Sequence, residues 1–347
     1  MFRSRHLLLG AATAPLLVAA QADAAEKVVA SIKPVHSLVA AVMEGAGTPE
    51  LLVKGAASPH TYSMRPSEAG MLEDADLVFW VGPGIETFLE SSLQSLAGDA
   101  EVVMLSETPG LTQLEIREGG AFEAHDHDHG DHAGHDDAGD HDHHDEAHGK
   151  HHPEHEDHDH AAHDDDHGHD HAHDEVDTHI WLDPENARVM VHHIAHSLSQ
   201  ADPQNASIYE QNAAALYTRI DTLIAETEEA LASVDDETFV VFHDAFHYYE
   251  NRFGLQAAGS ITVSPEVLPG ARRLREVQDK IVELGATCVF REPQFEPKLI
   301  SVVTEGTDAR SGVLDPLGAD LEDGPDLYFT LIGNLTESLV GCLSADS

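Results

Sequence analysis

The stretch KVVASIKPVHSLVAAVME, residues 27–44, decides how the chain folds. Residues 27–32 form a short β-branched run of strand length, and Pro34 then suits the first turn of a helix that continues to residue 44. A strand running straight into a helix is the first half of a βαβ unit. The alternation continues outward: residues 50–53, 76–81 and 101–105 read as strands, and residues 66–73 and 85–96 as helices. Strand and helix in turn imply a parallel sheet covered on both faces.

Further on, residues 184–199 carry apolar residues at helical spacing. Asp202-Pro203 opens a second helical pattern that runs to about residue 234 without an internal Gly or Pro. A helix of that length can cross a whole molecule. Beyond it, residues 239–242, 255–258, 287–290 and 326–330 read as strands, and residues 245–253, 270–284, 297–305 and 332–343 as helices. The expected fold class is therefore α/β, with two lobes joined by one long helix that leaves little hinge freedom. Metal and small-ligand sites favour the cleft of such a pair. The limits that follow are an N-terminal lobe over residues 25–183, linking helices over 184–234 and a C-terminal lobe over 235–347.

Ahead of the first lobe, residues 1–24 read as an export signal. Arg3 and Arg5 give a positive start, residues 7–20 a 14-residue apolar run, and Ala22-Asp23-Ala24 a small-residue cleavage site. The run falls short of the roughly 20 residues of a bilayer span. No cysteine follows it to carry a lipid, so a soluble exported protein beginning near Ala25 is expected. With 18 basic against 64 acidic residues, nucleic acid is excluded as a partner and a cationic ligand fits. The two cysteines, Cys288 and Cys342, form either a disulfide, which an oxidising compartment favours, or a pair of buried thiols.

One segment breaks the composition. Residues 125–173 hold 19 of the 28 histidines and 17 acidic residues, with one Lys and no aromatic residue. Such a stretch cannot build a core, and a disordered loop inserted in the first lobe is expected. Its His125, His127, His129, His141, His143, His144, His167, His169, His171 and His173 alternate largely with acidic residues and are candidates for weak, exchangeable metal sites. The plainer alternative is a solvated spacer.

Outside the loop most histidines need no special explanation; His192, His193 and His196 read as surface residues of a helix. Three stand out by context. His60, in Pro59-His60-Thr61-Tyr62, follows a strand, at the end where open α/β sheets bind ligands. His179 lies just before a helix opened by Pro184, and His243 directly follows the strand at 239–242. Asp315, in Leu314-Asp315-Pro316, is a fourth candidate at a comparable turn. Zn2+ suits imidazole nitrogen with a carboxylate in a tetrahedron, whereas Mg2+ and Ca2+ prefer oxygen shells. His243 and His247 stand four apart as in zinc proteases, but position 244 is Asp where that motif needs Glu, and His247 reads as a surface residue.

Together these residues resemble the zinc-binding periplasmic receptors of ABC importers, the ZnuA-type branch of the metal-receptor class. The matching blocks, in order, are Pro59-His60-Thr61-Tyr62, His179-Ile180-Trp181-Leu182-Asp183-Pro184-Glu185, Phe242-His243-Asp244-Ala245-Phe246, Val263-Ser264-Pro265-Glu266, Phe290-Arg291-Glu292-Pro293-Gln294-Phe295 and Leu314-Asp315-Pro316-Leu317-Gly318. The resemblance covers nearly the whole chain beyond the signal. It implies two Rossmann-like lobes with a rigid linking helix, and Zn2+ held between them by His60, His179 and His243. It further implies a monomeric receptor that docks on a membrane permease, and a disulfide between Cys288 and Cys342. Some receptors of this kind carry an acidic residue just before the first histidine. Pro59 stands there in this chain, so Asp315 or a water must complete the shell. Two other readings compete: a zinc-dependent hydrolase, for which Asp244 and Glu292 are unassigned acidic groups, and a zinc buffer working through the histidine-rich loop.

Overall fold

A computed structural model describes residues 27–117, 122, 176–234, 236–262, 265, 269–295 and 298–344. The expected signal at 1–24 and the histidine-rich segment at 125–173 lie outside the described residues.

The first lobe is built on β1 (Val28–Ala30), β2 (Glu50–Leu51), β3 (Leu77–Trp80) and β4 (Glu101–Met104), interleaved with α1 (Lys33–Val42), α2 (Pro66–Glu73) and α3 (Thr87–Leu96). The strands pair in parallel in the order β2-β1-β3-β4. Two long helices follow, α4 (Pro184–Ala201) and α5 (Ala206–Leu231). The second lobe repeats the first sheet's plan. Its strands β5 (Phe239–His243), β6 (Ala257–Thr262), β7 (Cys288–Arg291) and β8 (Arg310–Val313) pair in parallel in the order β6-β5-β7-β8, with α6 (His247–Phe253), α7 (Ala271–Leu284) and α8 (Lys298–Thr304) between them and α9 (Leu327–Leu343) closing the chain. In both sheets the chain crosses over between the second and third strands. That switch point leaves a crevice at the strands' carboxyl ends.

The α/β class with two parallel-sheet lobes is thus borne out, with one local correction. Residues 326–330 belong to α9 and its cap, and the last strand is β8. Asp326-Leu327-Tyr328-Phe329-Thr330 has strand-like composition, yet Leu327, Leu331, Leu335 and Leu339 repeat every four residues and are all buried, which commits the segment to a helix. The strand Arg310–Val313 has little β-branched character and takes its conformation from pairing with β7. Gly312 there lies against Phe290, where an added Cβ would clash with the ring.

At 26 residues, α5 is about 39 Å long at 1.5 Å per residue. Tyr209, Ala213, Leu216, Ile220, Leu223, Thr227 and Leu231 form its buried stripe. Asn212 on this helix donates to the Val42 and Glu44 carbonyls of the first lobe at 2.9 and 2.8 Å, and Arg219 pairs with Asp326 of the second at 2.7 Å. One apolar core runs through both lobes, from Val28 and Phe79 through Leu216 and Ile220 to Phe239, Phe290 and Leu335. A smaller cluster of Val240, Phe242, Ile261, Val277 and Ile281 fills the other face of the second sheet.

Cys288 and Cys342 form a disulfide that ties β7 to α9, with their Cα atoms 6.2 Å apart. Among the described residues no helix is long and apolar enough to cross a membrane.

Candidate metal centre

His60 enters through a single 3-10 turn, Pro59–Thr61, after β2. The following loop is tied down by Glu68 of α2, which accepts from the Tyr62 hydroxyl and from the Arg65 backbone N–H, both at 2.7 Å. His243 ends β5, an inner strand of the second sheet. His179 stands on a more elaborate support. Trp181, fully buried, donates from Nε1 to the Pro316 carbonyl at 2.8 Å, and its own carbonyl accepts from the Tyr328 hydroxyl at 2.8 Å. Asp183 caps α4 by accepting from the Glu185 N–H at 2.9 Å, and it also takes a two-pronged bond from Arg252 at 2.7 and 2.8 Å.

The three histidines converge from both lobes. One potential ligand atom from each lies within 4.8 Å of the other two, and no other such cluster occurs among the described residues. His179 Nε2 and His243 Nε2 are 3.3 Å apart. A tetrahedral zinc with bonds of about 2.0–2.1 Å has nitrogen–nitrogen edges of roughly 3.3–3.4 Å, so this edge is already at the right length. Beside them is a cavity of about 10 Å³, lined by the three imidazoles, Trp181, Glu292, Gln294 and Phe295 among others. That is room for one water or ion.

The outward nitrogens explain why the inward ones are available. Asp177 Oδ1 accepts from the His179 backbone N–H at 2.9 Å and lies 2.7 Å from Nδ1. Glu292 Oε1 does the same for His243, at 3.2 Å from its backbone N and 2.6 Å from Nδ1. With a proton on each Nδ1, both Nε2 atoms point lone pairs inward, the arrangement that metal-binding imidazoles share. His60 Nε2 is buried without a hydrogen-bond partner. Burial, then the two neighbouring imidazoles, hold His60 well below the usual histidine range. Burial also pulls His243 down, but the charge and hydrogen bond of Glu292 outweigh it and leave His243 raised. With each Nδ1 proton directed at its carboxylate, the Nε2 lone pairs of His179 and His243 face one another across 3.3 Å and invite a cation. The donor set fits zinc.

Asp315 is not brought to this cluster. Its Oδ1 accepts from Leu317 N–H at 3.1 Å and Gln294 Nε2 at 2.8 Å, and its Oδ2 from Ala319 N–H at 2.6 Å. Those three donors hold the carboxylate in the 315–319 turn.

His192 and His196 are exposed, as expected for a solvated helix face. His247 departs from its surface reading, for its side chain is 22% exposed and Nδ1 lies 3.9 Å from Asp177 Oδ2. It begins α6 whereas His243 ends β5, so the two do not share a helix as in a protease motif. The ten loop histidines named above lie outside the described residues.

The family described as zinc-uptake complex component A, periplasmic (ZnuA), matches residues 28–342. The chain belongs to the ZnuA family. A relative from Brucella suis, named high-affinity zinc uptake system protein ZnuA, is 52% identical over 319 residues, 92% of each chain. One of the same name from Paracoccus denitrificans is 38% identical over the full length of both. Among solved structures, the periplasmic zinc-binding protein TroA of Treponema pallidum superposes with a TM-score of 0.69 at 19% identity, over 92% of this chain and 99% of that one, which shows the shared fold.

For this ZnuA-family chain, sequence reasoning missed the groups behind the imidazoles. Asp177 stands two residues before His179, a spacing that could have flagged it; Glu292 is 49 residues from His243 and is brought there only by β5–β7 pairing. Arg117 was missed as well. It forms ion pairs with Asp244, beside His243, and with Glu250 at 2.6 Å. Next to it, Glu115 bridges to Val176 and Asp177 N–H donates to the Leu114 carbonyl at 2.9 Å, so the chain leaves and re-enters the described fold at one place. The Tyr248 hydroxyl seals that place, accepting from Leu114 N–H at 3.1 Å and donating to the Asp177 carbonyl at 2.7 Å.

Proposed function

We propose that the chain captures Zn2+ in the periplasm with His60, His179 and His243, and delivers it to the membrane permease of an ABC-type zinc importer. The observation that carries this reading is the inward convergence of the three imidazoles, two of them held from behind by Asp177 and Glu292. Membership of a family described as a periplasmic zinc-uptake component supports the compartment, the cargo and the transporter partner. Zinc is favoured over manganese because three nitrogens outweigh any carboxylate in the shell. Water completes the tetrahedron. The receptor acts as a monomer, with lobes over residues 25–183 and 235–347 joined by 184–234, and the histidines of residues 125–173 serve as weak accessory sites.

A binding role without catalysis fits the acidic groups. Asp244 is committed to Arg117, and Glu292 Oε1 to His243.

The test is zinc affinity by chelator competition. Replacing His60, His179 or His243 singly with Ala should cost at least a hundredfold, while replacing exposed His196 should cost nothing. Retention of parental affinity by His243→Ala overturns the ligand set, and robust esterase or peptidase turnover by the zinc-loaded protein overturns the receptor reading.

A further inference from the structure

Gln294 follows β7 by three residues and lines the same small cavity as the three imidazoles. Its amide is fixed in one sense. Asp315 Oδ1 accepts from Nε2 at 2.8 Å, and because a carboxylate only accepts, the amide cannot be turned over. The other atom, Oε1, is buried and has no hydrogen-bond partner. Glu292, which lines the cavity too, is in the same state: Oε1 serves His243 while Oε2 is buried and unpartnered. Buried acceptors are seldom left without donors, since the lost solvation is not recovered. Two residues that line a space the size of one water, beside the three imidazoles, therefore each carry a buried orphan acceptor.

Resting on the zinc reading above, we propose that a water fills the fourth position of the zinc shell and donates its two hydrogens to Gln294 Oε1 and Glu292 Oε2. Asp315 is then a positioning residue, acting through Gln294 rather than touching the metal. The match is one of number and kind: a bound water has two protons to give, and the lining offers two acceptors. A neutral amide oxygen is a poor zinc ligand beside imidazole and carboxylate, which makes the water, not the amide, the fourth donor. The amide also shapes reactivity. Water donates a hydrogen bond better than hydroxide does, so Gln294 favours the unionised water and opposes the activation on which zinc hydrolases depend.

The experiment uses the full exported chain with Gln294→Leu, which keeps the size and removes both polar atoms. Zinc affinity by chelator competition should fall about tenfold, the lower end of what lost outer contacts cost a metal site. The unfolding midpoint of the metal-free protein should change little, because the lost bond to Asp315 is offset by removal of an orphan oxygen. In the Co2+-loaded protein, the visible-band change that accompanies ionisation of the bound water should move to lower pH. Asp315→Ala should weaken zinc less in the Gln294→Leu background than in the parent. Parental zinc affinity with a parental Co2+ pH profile in Gln294→Leu overturns the proposal, and so does an Asp315→Ala loss of equal size in both backgrounds, which marks Asp315 as a direct ligand. If Asp315→Ala does not fold, the Gln294→Leu measurements decide alone. A parent that binds no zinc tightly refutes the ligand set itself, so the two failures are distinguishable.

Discussion

Replacing Glu292 with Gln tests how far the site depends on the group behind His243. Glu292 is 1% exposed, and its Oε1 receives both the backbone N–H and Nδ1 of His243 at 3.2 and 2.6 Å. Glutamine keeps an acceptor in the same place and removes the charge. A hydrogen bond to a charged group contributes about 1.5–3 kcal/mol net and a neutral one about 0.5–1.5, so the change at His243 costs zinc binding roughly 1–1.5 kcal/mol, or about tenfold, before any loss at Oε2, where an amide nitrogen cannot accept. The pH dependence gives a second, sharper signature. In the parent, Glu292 overrides the effect of burial and raises His243 above the ordinary 6.5, so protons compete with zinc from a higher pH downward. In Glu292→Gln burial is opposed only by the lesser charges of Asp244 and Asp177, so His243 is lowered relative to the parent and proton competition begins later. The two affinity curves, measured by chelator competition from pH 8 to pH 5.5, should therefore be furthest apart at the alkaline end and converge on acidification. A variant with parental affinity at pH 7.5, or a gap that widens in acid, refutes the account of His243 as a ligand oriented and biased by this carboxylate.

Three further outcomes concern stability. Glu86, fully buried, accepts from the Val81 and Gly82 N–H groups at 2.7 and 3.1 Å, and burial raises its carboxyl to about 7 from 4.5. Between those values the folded state binds the extra proton, so this group's contribution is lost as pH rises through the window. Glu86→Gln should flatten that slope by about 3 kcal/mol in denaturant titrations of the metal-free protein at pH 5 and 7.5. Arg117→Met strips the buried Asp244 and Glu250 of their cation and should cost about 3–5 kcal/mol in urea, much of it regained in the triple variant with Asp244→Asn and Glu250→Gln. Reducing Cys288–Cys342, which closes a 54-residue separation, should cost about 4 kcal/mol while the zinc affinity of the folded protein persists, because Cys288 starts β7 and Glu292 follows its far end.

Much of this molecule is legible in its sequence where the physics is local. Residues 27–44 announce a strand and a helix, Pro66 opens its helix at the residue expected, and the unbroken pattern after Asp202 becomes α5. His60, His179 and His243 declared themselves because each stands at the edge of a readable element. What escaped depends on partners distant in the chain. Residues 310–313 are a strand only because β7 lies beside them, and Asp326–Thr330 reads as one until the leucines beyond it extend the helical period backward. Asp315 stands at a turn comparable to those of His60 and His243, yet its neighbours are not legible in the sequence. The donors that claim it, Gln294 and the Leu317 and Ala319 N–H groups, are visible only once the turn is folded.

The apolar core that runs unbroken from the first sheet through α5 to the second has a bearing on modularity. By topology the chain is two copies of one plan. By packing it is indivisible: cut after α4, either half would present to water the surface that now meets the other, and the cage would be split between fragments, with His60 and His179 on one side and His243 on the other. Calorimetry of the intact protein should accordingly register one transition rather than two. Halves so welded cannot be exchanged between relatives like beads on a string; a substitution tolerated in one must answer to the other.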